Sequence, residues 1–246
     1  MRVHPHLAFE LLAYAVATWV YLSLRGRFGD HIATQDRWSL LAAAAVGAVA
    51  GSRILNWLGQ PTLMPQGVRE ALRLVGGQTV VGGLLGAWIA VEIQKRRIGV
   101  SRPTGDLLAI PTALGIAVGR IGCFLSGLTD ETYGTATSLP WGVDLGDGVA
   151  RHPTALYESA FLVLLAIGLQ RTLGRVREGH TFVLFVSSYL LFRLGIESIK
   201  PGHPLALGLT AIQWACVAGL AYYGLRFAAR PGPARPPATS RQRDDA

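Results

Sequence analysis

The chain has 246 residues, of which half are apolar and only 15% charged, with a net charge of +8 and a mean hydropathy of +0.35. A soluble domain carries about 25% charged residues, so the composition excludes an ordinary soluble enzyme and points to one polytopic membrane domain. The positive charges sit in short loops between apolar runs, which is the pattern of a membrane protein and argues against a nucleic-acid partner.

Seven apolar runs are predicted as transmembrane helices, near Leu7–Leu24, Ser39–Leu58, Val80–Ile93, Leu107–Leu125, Thr154–Leu169, Thr181–Ile199 and Leu207–Phe227. The fold class expected is all-α. The first run has no small-residue cleavage site after it and is expected to remain as a span. The third is the weakest, and Gly76–Gly83 ahead of it reads as a loop buried in protein. Basic residues follow spans one, three, five and seven: Arg25, Arg27 and Arg37; Lys95, Arg96, Arg97 and Arg102; Arg171, Arg175 and Arg177; and Arg226, Arg230, Arg235, Arg241 and Arg243. The positive-inside rule makes these segments cytoplasmic, with the N-terminus outside, the C-terminus inside, and loops 59–79, 126–153 and 200–206 on the outer face. Residues 1–230 are expected to form one membrane domain, and the Pro-, Ala- and Arg-rich stretch 231–246 a disordered cytoplasmic tail. Gly47 and Gly51, Gly82 and Gly86, and Gly115 and Gly119 each share a helical face, as close helix packing or approach of a lipid tail to the backbone requires.

Two arginines, Arg120 and Arg193, lie within apolar runs. A guanidinium stays charged at any ordinary pH, and holding it at bilayer depth costs about 2.5–3.5 kcal/mol even on the mildest scale. Such a group is kept for an anionic partner or a polar cavity, and a lipid phosphate is the obvious anion. Arg193 and Glu197 share one helical face and could simply neutralise each other. Counting Arg120, two arginines face one glutamate, which leaves room for a bound anion. Between Gly119 and Glu158 runs a long polar stretch, rooted at both ends in spans and suited to cover an outward-facing cavity. Glu158 itself, in the first turns of span five, has a purely structural reading as an acid near a helix N-terminus. Cys123 and Cys216 read as free buried thiols, Cys123 with the alternative of a covalent intermediate. No metal site is expected: His4 and His6 lack a third ligand in view, and His31, His152, His180 and His203 are scattered. The glycine-rich segment has no Lys-Ser/Thr ending, so no P-loop is present and no cofactor is expected.

Gly76-Gly77 through Gly82-Gly83, Gly119-Arg120-Ile121-Gly122 with Phe124, Tyr133-Gly134, Leu139-Pro140-Trp141, Arg151-His152-Pro153 with Leu156-Tyr157-Glu158, and Phe192-Arg193 with Glu197 together form a specific signature. It resembles that of the bacterial prolipoprotein diacylglyceryl transferases, over roughly Gly51 to Tyr223. The resemblance implies a multi-pass protein of the bacterial cytoplasmic (inner) membrane, with the topology derived above. Its implied partners are phosphatidylglycerol and a prolipoprotein signal peptide bearing a lipobox cysteine. The diacylglyceryl group would move to that cysteine as a thioether, with release of glycerol 1-phosphate. Arg120 then resembles the arginine that holds the phosphoglycerol headgroup, Arg193 its essential partner, and Glu197 the acid beside it. Together with His152 these are the expected catalytic residues. Gly77, Gly82, Gly83, Gly119, Gly122, Glu131, Tyr133, Arg151, Tyr157 and Glu158 are the expected substrate-binding residues, Glu131 at a longer spacing from Gly127 than the pattern has.

The chain also departs from the pattern. Val81 stands where the family usually has a histidine proposed as base, Cys123 and Ser126 where it has asparagines, and Ala155 where it has glutamine. The thiol of the acceptor, with an ordinary pKa of about 8.5, must still be deprotonated. His152, Glu197 and Glu131 are candidate bases, a loop-capping role is the alternative for His152, and the arginines alone could suffice. Two further readings stay open: a related phospholipid-dependent transferase with another acceptor, and a membrane protein that binds lipid without chemistry.

Overall fold

A computed structural model describes residues 5–60, 78–130 and 132–228 of the chain. Among these residues the architecture is helical, with seven α-helices: α1 Pro5–Phe28, α2 Thr34–Gly59, α3 Val80–Ile98, α4 Asp106–Leu125, α5 Thr154–Gln170, α6 His180–Ile196 and α7 Ala211–Ala228. Each predicted span falls on one of them. Four segments are long and apolar enough to cross a membrane: His6–Phe28, Thr34–Gly59, Asp106–Leu125 and His180–Ile199. Thr154–Gln170 and Ala211–Leu225 are apolar but shorter. Helix α3 ends in Lys95, Arg96 and Arg97, so its apolar part is shorter than the helix itself. Its start is sharp: the Thr79 hydroxyl accepts a hydrogen bond from the Gly82 N–H at 3.3 Å, an N-cap. Gly82 and Gly83 are therefore in the first helical turn, not in a loop, whereas Gly76, Gly77, Glu131 and the 231–246 tail lie outside the described residues.

The helices run between two chemically distinct ends. At the basic end, Arg37 in the first turns of α2 pairs with Asp30 through Nη2–Oδ1 at 2.6 Å and Nε–Oδ2 at 2.9 Å, and donates from Nη1 to the Thr104 carbonyl at 2.8 Å. Asp106, opening α4, accepts from the N–H groups of Gly179 at 2.6 Å and Phe182 at 2.9 Å, so a carboxylate of one helix caps the start of another. At the opposite end lie the first turn of α1, the end of α4, the 126–153 loop and residues 197–210. This loop holds a feature absent from the all-α expectation, a two-stranded antiparallel sheet pairing β1 Val143–Asp144 with β2 Ala150–Arg151. The Asp144 carboxylate nucleates its turn by accepting from the N–H groups of Gly146, Asp147 and Gly148.

The core is centred where α4, α5 and α6 meet, around Ile110, Ala113, Ala117, Leu162, Phe185, Tyr189 and Leu190, all at most 2% exposed. Ala113 and Ala117 are small enough to let α5 and α6 approach α4 closely. Helices α2 and α3 approach even more closely. A Cβ on Gly47, Gly51, Gly82 or Gly86 would collide with the backbone carbonyl of the glycine opposite. The Gly47–Gly51 and Gly82–Gly86 faces are thus spent on helix packing; of the third pair, Gly115 lies against Ala17 and Gly119 has nothing within 4 Å. We predict that Gly86→Ala lowers thermal stability in detergent by the equivalent of about 1–3 kcal/mol. Gly168→Ala, with nothing within 4 Å of the added Cβ, should leave it unchanged or raise it slightly. Equal unfolding temperatures for the two variants would refute the tight seam.

A cavity of about 1130 Å³ opens between α2, α3, α4, α6 and α7, lined by Leu84, Trp88, Ile116, Phe182, Val183 and Tyr222 among others. Its volume and the apolar part of its wall suit acyl chains, while Glu92, Lys95, Arg177 and Glu178 also line it. It does not contain Arg120 or Arg193; the nearest lining residue on α4 is Ile116, one turn before Arg120.

Candidate active site

Arg120 near the end of α4, Glu158 in the second turn of α5, and Tyr189 and Arg193 on α6 converge in the core, joined by Glu197 in the 3-10 turn Glu197–Ile199 that follows α6. All five are buried. Their convergence follows from helical periodicity: Tyr189, Arg193 and Glu197 recur every four residues and so share one stripe. The Ser159 hydroxyl, donating to the Ala117 carbonyl at 2.9 Å, fixes α5 against α4 one turn from Arg120.

Glu158 is the hub. Its Oε2 lies 3.0 Å from Arg120 Nε and 3.3 Å from Arg193 Nη1, and its Oε1 accepts from the Tyr189 hydroxyl at 2.6 Å. Arg193 Nη2 donates to Glu197 Oε2 at 2.7 Å. The purely structural reading of Glu158 as a helix-start acid is therefore corrected: it is the counter-ion of both arginines. The surplus of two arginines over one glutamate is corrected with it, because Arg120 and Arg193 are balanced by Glu158 and Glu197.

The positive excess comes instead from Lys200, at the start of the predicted outer loop 200–206. Half-buried just beyond the 3-10 turn, it feels the field of both arginines and both glutamates. Burial, reinforced by repulsion from Arg193 and Arg120, brings its ammonium down to about 8 from 10.5. Among the described residues it has no carboxylate within ion-pair distance. Three cations against two carboxylates leave one positive charge below that pH.

The two arginines are not equivalent. Arg193 spends both terminal nitrogens on Glu158 and Glu197. Arg120 faces Glu158 with Nε, but that N–H is not aimed at an acceptor. Its Nη1 meets only the Cys123 sulfur, at 3.9 Å, and no hydrogen bond from Nη2 occurs among the described residues. Arg120 thus retains donors for an incoming anion, while Arg193 anchors the carboxylate that holds Arg120 in place.

Tyr133, Arg151, His152 and Tyr157 gather in a second group beside the first. Arg151 stacks on the Tyr133 ring at 5.2 Å and pairs with Asp147 at 2.6 Å. His152 Nδ1 lies 3.4 Å from the Tyr157 hydroxyl, which accepts from Trp141 Nε1 at 2.8 Å. A small cleft at this group is lined by Cys123, Phe124, Tyr133, Arg151, His152 and Thr154. Cys123 belongs to both groups, since it also touches Arg120. The backbone carbonyl of Ile199 accepts from the Thr135 N–H at 2.8 Å, which ties this loop to the segment carrying Lys200. Of the expected binding glycines, Gly82 packs on Gly51 and Gly122 on Phe9, Gly83 lines the large cavity, and Gly119 faces open space beside Arg120.

The family model described as prolipoprotein diacylglyceryl transferase matches residues 3–227. The chain belongs to the prolipoprotein diacylglyceryl transferase family. Among its relatives, a phosphatidylglycerol–prolipoprotein diacylglyceryl transferase of Wolbachia pipientis from Culex pipiens is 36% identical over 77% of this chain and 76% of the relative. Proteins of the same name from Geobacter sulfurreducens and Bordetella avium are each 29% identical, over 79% of this chain and 79% of the relative, and over 87% and 85%, respectively. No solved structure matches the chain significantly. Val81, at the position where the resemblance leads one to expect a histidine, is 1% exposed and packed in the apolar core.

Proposed function

We infer that the chain transfers the diacylglyceryl group of phosphatidylglycerol to the lipobox cysteine of prolipoproteins, forming a thioether and releasing glycerol 1-phosphate. Its membership of the family, and the name its relatives share, support this reaction. The observation that carries the mechanism is the Arg120 guanidinium, held by Glu158 on one side with terminal N–H groups to spare on the other. A thiolate attacks the glyceryl carbon that bears the phosphate ester. The C–S bond forms, the C–O bond breaks, and its electron pair leaves on the phosphate oxygen. Fixed donors aimed at that oxygen in a water-poor site stabilise the transition state. Arg120 supplies a planar fork for this, and Lys200 the additional positive charge. Arg193, Glu158, Tyr189 and Glu197 hold the fork in position.

We also propose the finer topology read from loop charge: seven spans in a bacterial inner membrane, with the N-terminus and the Arg120–Lys200 end facing outward. The segregation of basic residues to the opposite end of the bundle supports it. The reaction is tested with purified protein in nanodiscs, phosphatidylglycerol labelled in its acyl chains, and a lipobox peptide alongside its Cys→Ser form. Cysteine-dependent labelling is expected. A second reading keeps the lipid donor and changes the acceptor; it is favoured by the burial of Val81. Donor binding without peptide labelling would favour it, or a non-catalytic lipid binder.

Lys200 gives the site a pH signature. Its folded-state value lies at about 8 and its ordinary value at 10.5. Between these values the unfolded chain binds more protons, so stability contributed by this group rises with pH across the window and is lowest below about 8. Anion binding follows the opposite course, because the neutral amine no longer supports the excess charge. We predict that affinity for phosphatidylglycerol falls as pH rises through about 8, and that Lys200→Met removes this step while lowering affinity on the acid side. A pH-independent affinity in the wild type would contradict the role of Lys200.

A further inference from the structure

A cluster outside the arginine network brings together three side chains from three separate elements. His6 comes from the first turns of α1, Cys123 from the last turn of α4, and Asp130 from the end of the 3-10 turn Gly127–Asp130. One ligand atom of each lies within 4.8 Å of the other two. His6 Nδ1 and Asp130 Oδ1 are 3.5 Å apart. These partners of His6 lie over a hundred positions away in the chain, so no ligand spacing in the sequence signals them.

The local backbone is built to make this meeting. Gly122 lies against Phe9, where a Cβ would come within 2.6 Å of the Phe9 Cβ and 3.6 Å of the His6 carbonyl. Only glycine at that point lets the first turn of α1 reach Cys123. Gly127 then turns the chain at a φ of 62°, and the Thr129 hydroxyl bonds back to the Ser126 carbonyl at 2.7 Å, which folds Asp130 over the end of α4. The Thr132 hydroxyl donates to Asp130 Oδ2 at 3.0 Å, leaving Oδ1 for His6. That is how an outer hydrogen bond orients a ligating carboxylate.

We propose that His6, Cys123 and Asp130 form a zinc site whose open fourth position takes the thiol of the acceptor cysteine. One nitrogen, one sulfur and one oxygen donor suit zinc, and three protein ligands with a vacant fourth position are the pattern of a catalytic rather than a structural site. Ligand atoms about 2.0–2.3 Å from a tetrahedral ion stand roughly 3.3–3.8 Å from one another. The His6–Asp130 separation already fits. The remaining contraction, up to about 1.5 Å from the 4.8 Å limit, is within the reach of side chains at the ends of their elements.

The site rests on the transferase reading for its function. Coordination makes the acceptor thiol a thiolate, and its proton leaves to water. The thiolate then attacks the glyceryl carbon, the C–O bond breaks, and the departing phosphate oxygen takes the electron pair. Arg120, whose Nη1 is 3.9 Å from Cys123, places its phosphate-binding donors beside that fourth position. The zinc keeps its charge throughout. In this chain the ion takes over the deprotonation for which Val81 has no capacity, and Cys123 becomes a ligand rather than a small buried hydrophobe or a nucleophile.

The test uses the full chain in detergent, stripped with chelator and dialysed against zinc or cobalt. One zinc per chain is expected, with a thiolate-to-cobalt charge-transfer band in the cobalt form. Cys123→Ser should abolish the band, and His6→Ala and Asp130→Asn should each weaken metal binding by about 10–100-fold or more. Thermal unfolding of the metal-free variants, matched to metal-free wild type, separates lost ligation from misfolding. Cys216, fully buried elsewhere, should contribute nothing to the band. Metal uptake by wild type no greater than by Cys123→Ser overturns the site. Zinc binding with no change in the cobalt spectrum on adding lipobox peptide overturns the thiol-binding role. Undiminished transfer by zinc-free protein does so too, while leaving the transferase reading intact. Zinc and peptide both coordinated, with no transfer from phosphatidylglycerol, keeps the site and removes the transferase reading.

Discussion

Arg120→Ala is expected to abolish diacylglyceryl transfer while leaving a folded protein in the membrane. The substitution removes the guanidinium with uncommitted donors, and loss of one such donor group from a preorganised site costs about 10²–10³ in turnover. The full effect should exceed that, because Arg120 presents both terminal nitrogens to one phosphate. Glu158 would keep Arg193 and Tyr189 as partners, so the network should survive the loss. Arg120→Lys should rescue little: an ammonium is a point charge on a flexible stem and cannot reproduce the fork. The check is transfer rate per folded protein, with thermal unfolding in detergent measured beside it. Wild-type turnover in Arg120→Ala would remove the phosphate-binding role.

Glu158→Ala should be the most destabilising single change in the site. It leaves two buried guanidinium groups with only Glu197, paired to Arg193, as counter-ion and removes the acceptor of the Tyr189 hydroxyl. Breaking one side of a buried ion pair costs about 3–5 kcal/mol, and here one carboxylate serves two cations. Glu158→Gln keeps the shape and one acceptor and should be milder in stability. Both should lose activity, since neither holds Arg120 by charge. Arg193→Ala should resemble Glu158 more than Arg120, with stability and activity falling together, because its terminal nitrogens are spent on Glu158 and Glu197. Thermal unfolding of the purified variants decides this. An Arg193→Ala protein as stable as Arg120→Ala would show that the two arginines are equivalent after all.

The helices were legible in the sequence because their signal is local: uncharged apolar runs of helical length, broken by glycine and basic loops. The importance of Arg120 and Arg193 was legible for the same reason, since a charge within such a run has few explanations. The pairing of Glu158 with both arginines was not legible, because it is not local. A carboxylate in the second turn of a helix looks like a dipole partner until α4 and α6 place a guanidinium on each side of it. The role of Lys200 is not legible because it follows Ile199, the last apolar residue of the predicted sixth span, where a lysine usually meets water; the turn at Glu197–Ile199 brings it near the arginines. His6, Cys123 and Asp130 are joined by the packing of Phe9 on Gly122, a contact with no periodic signature. The small hairpin has a local signal in Asp144-Leu145-Gly146-Asp147-Gly148, a turn-forming run between its two strands.

The most direct test of the arginine network is binding of phosphatidylglycerol to wild type and to Arg120→Ala in nanodiscs of neutral lipid, with diacylglycerol as the phosphate-free comparison. Arg120 presented to a lipid phosphate predicts saturable phosphatidylglycerol binding that is lost in Arg120→Ala, with diacylglycerol bound weakly and equally by both. Equal binding of phosphatidylglycerol by the two proteins would contradict it.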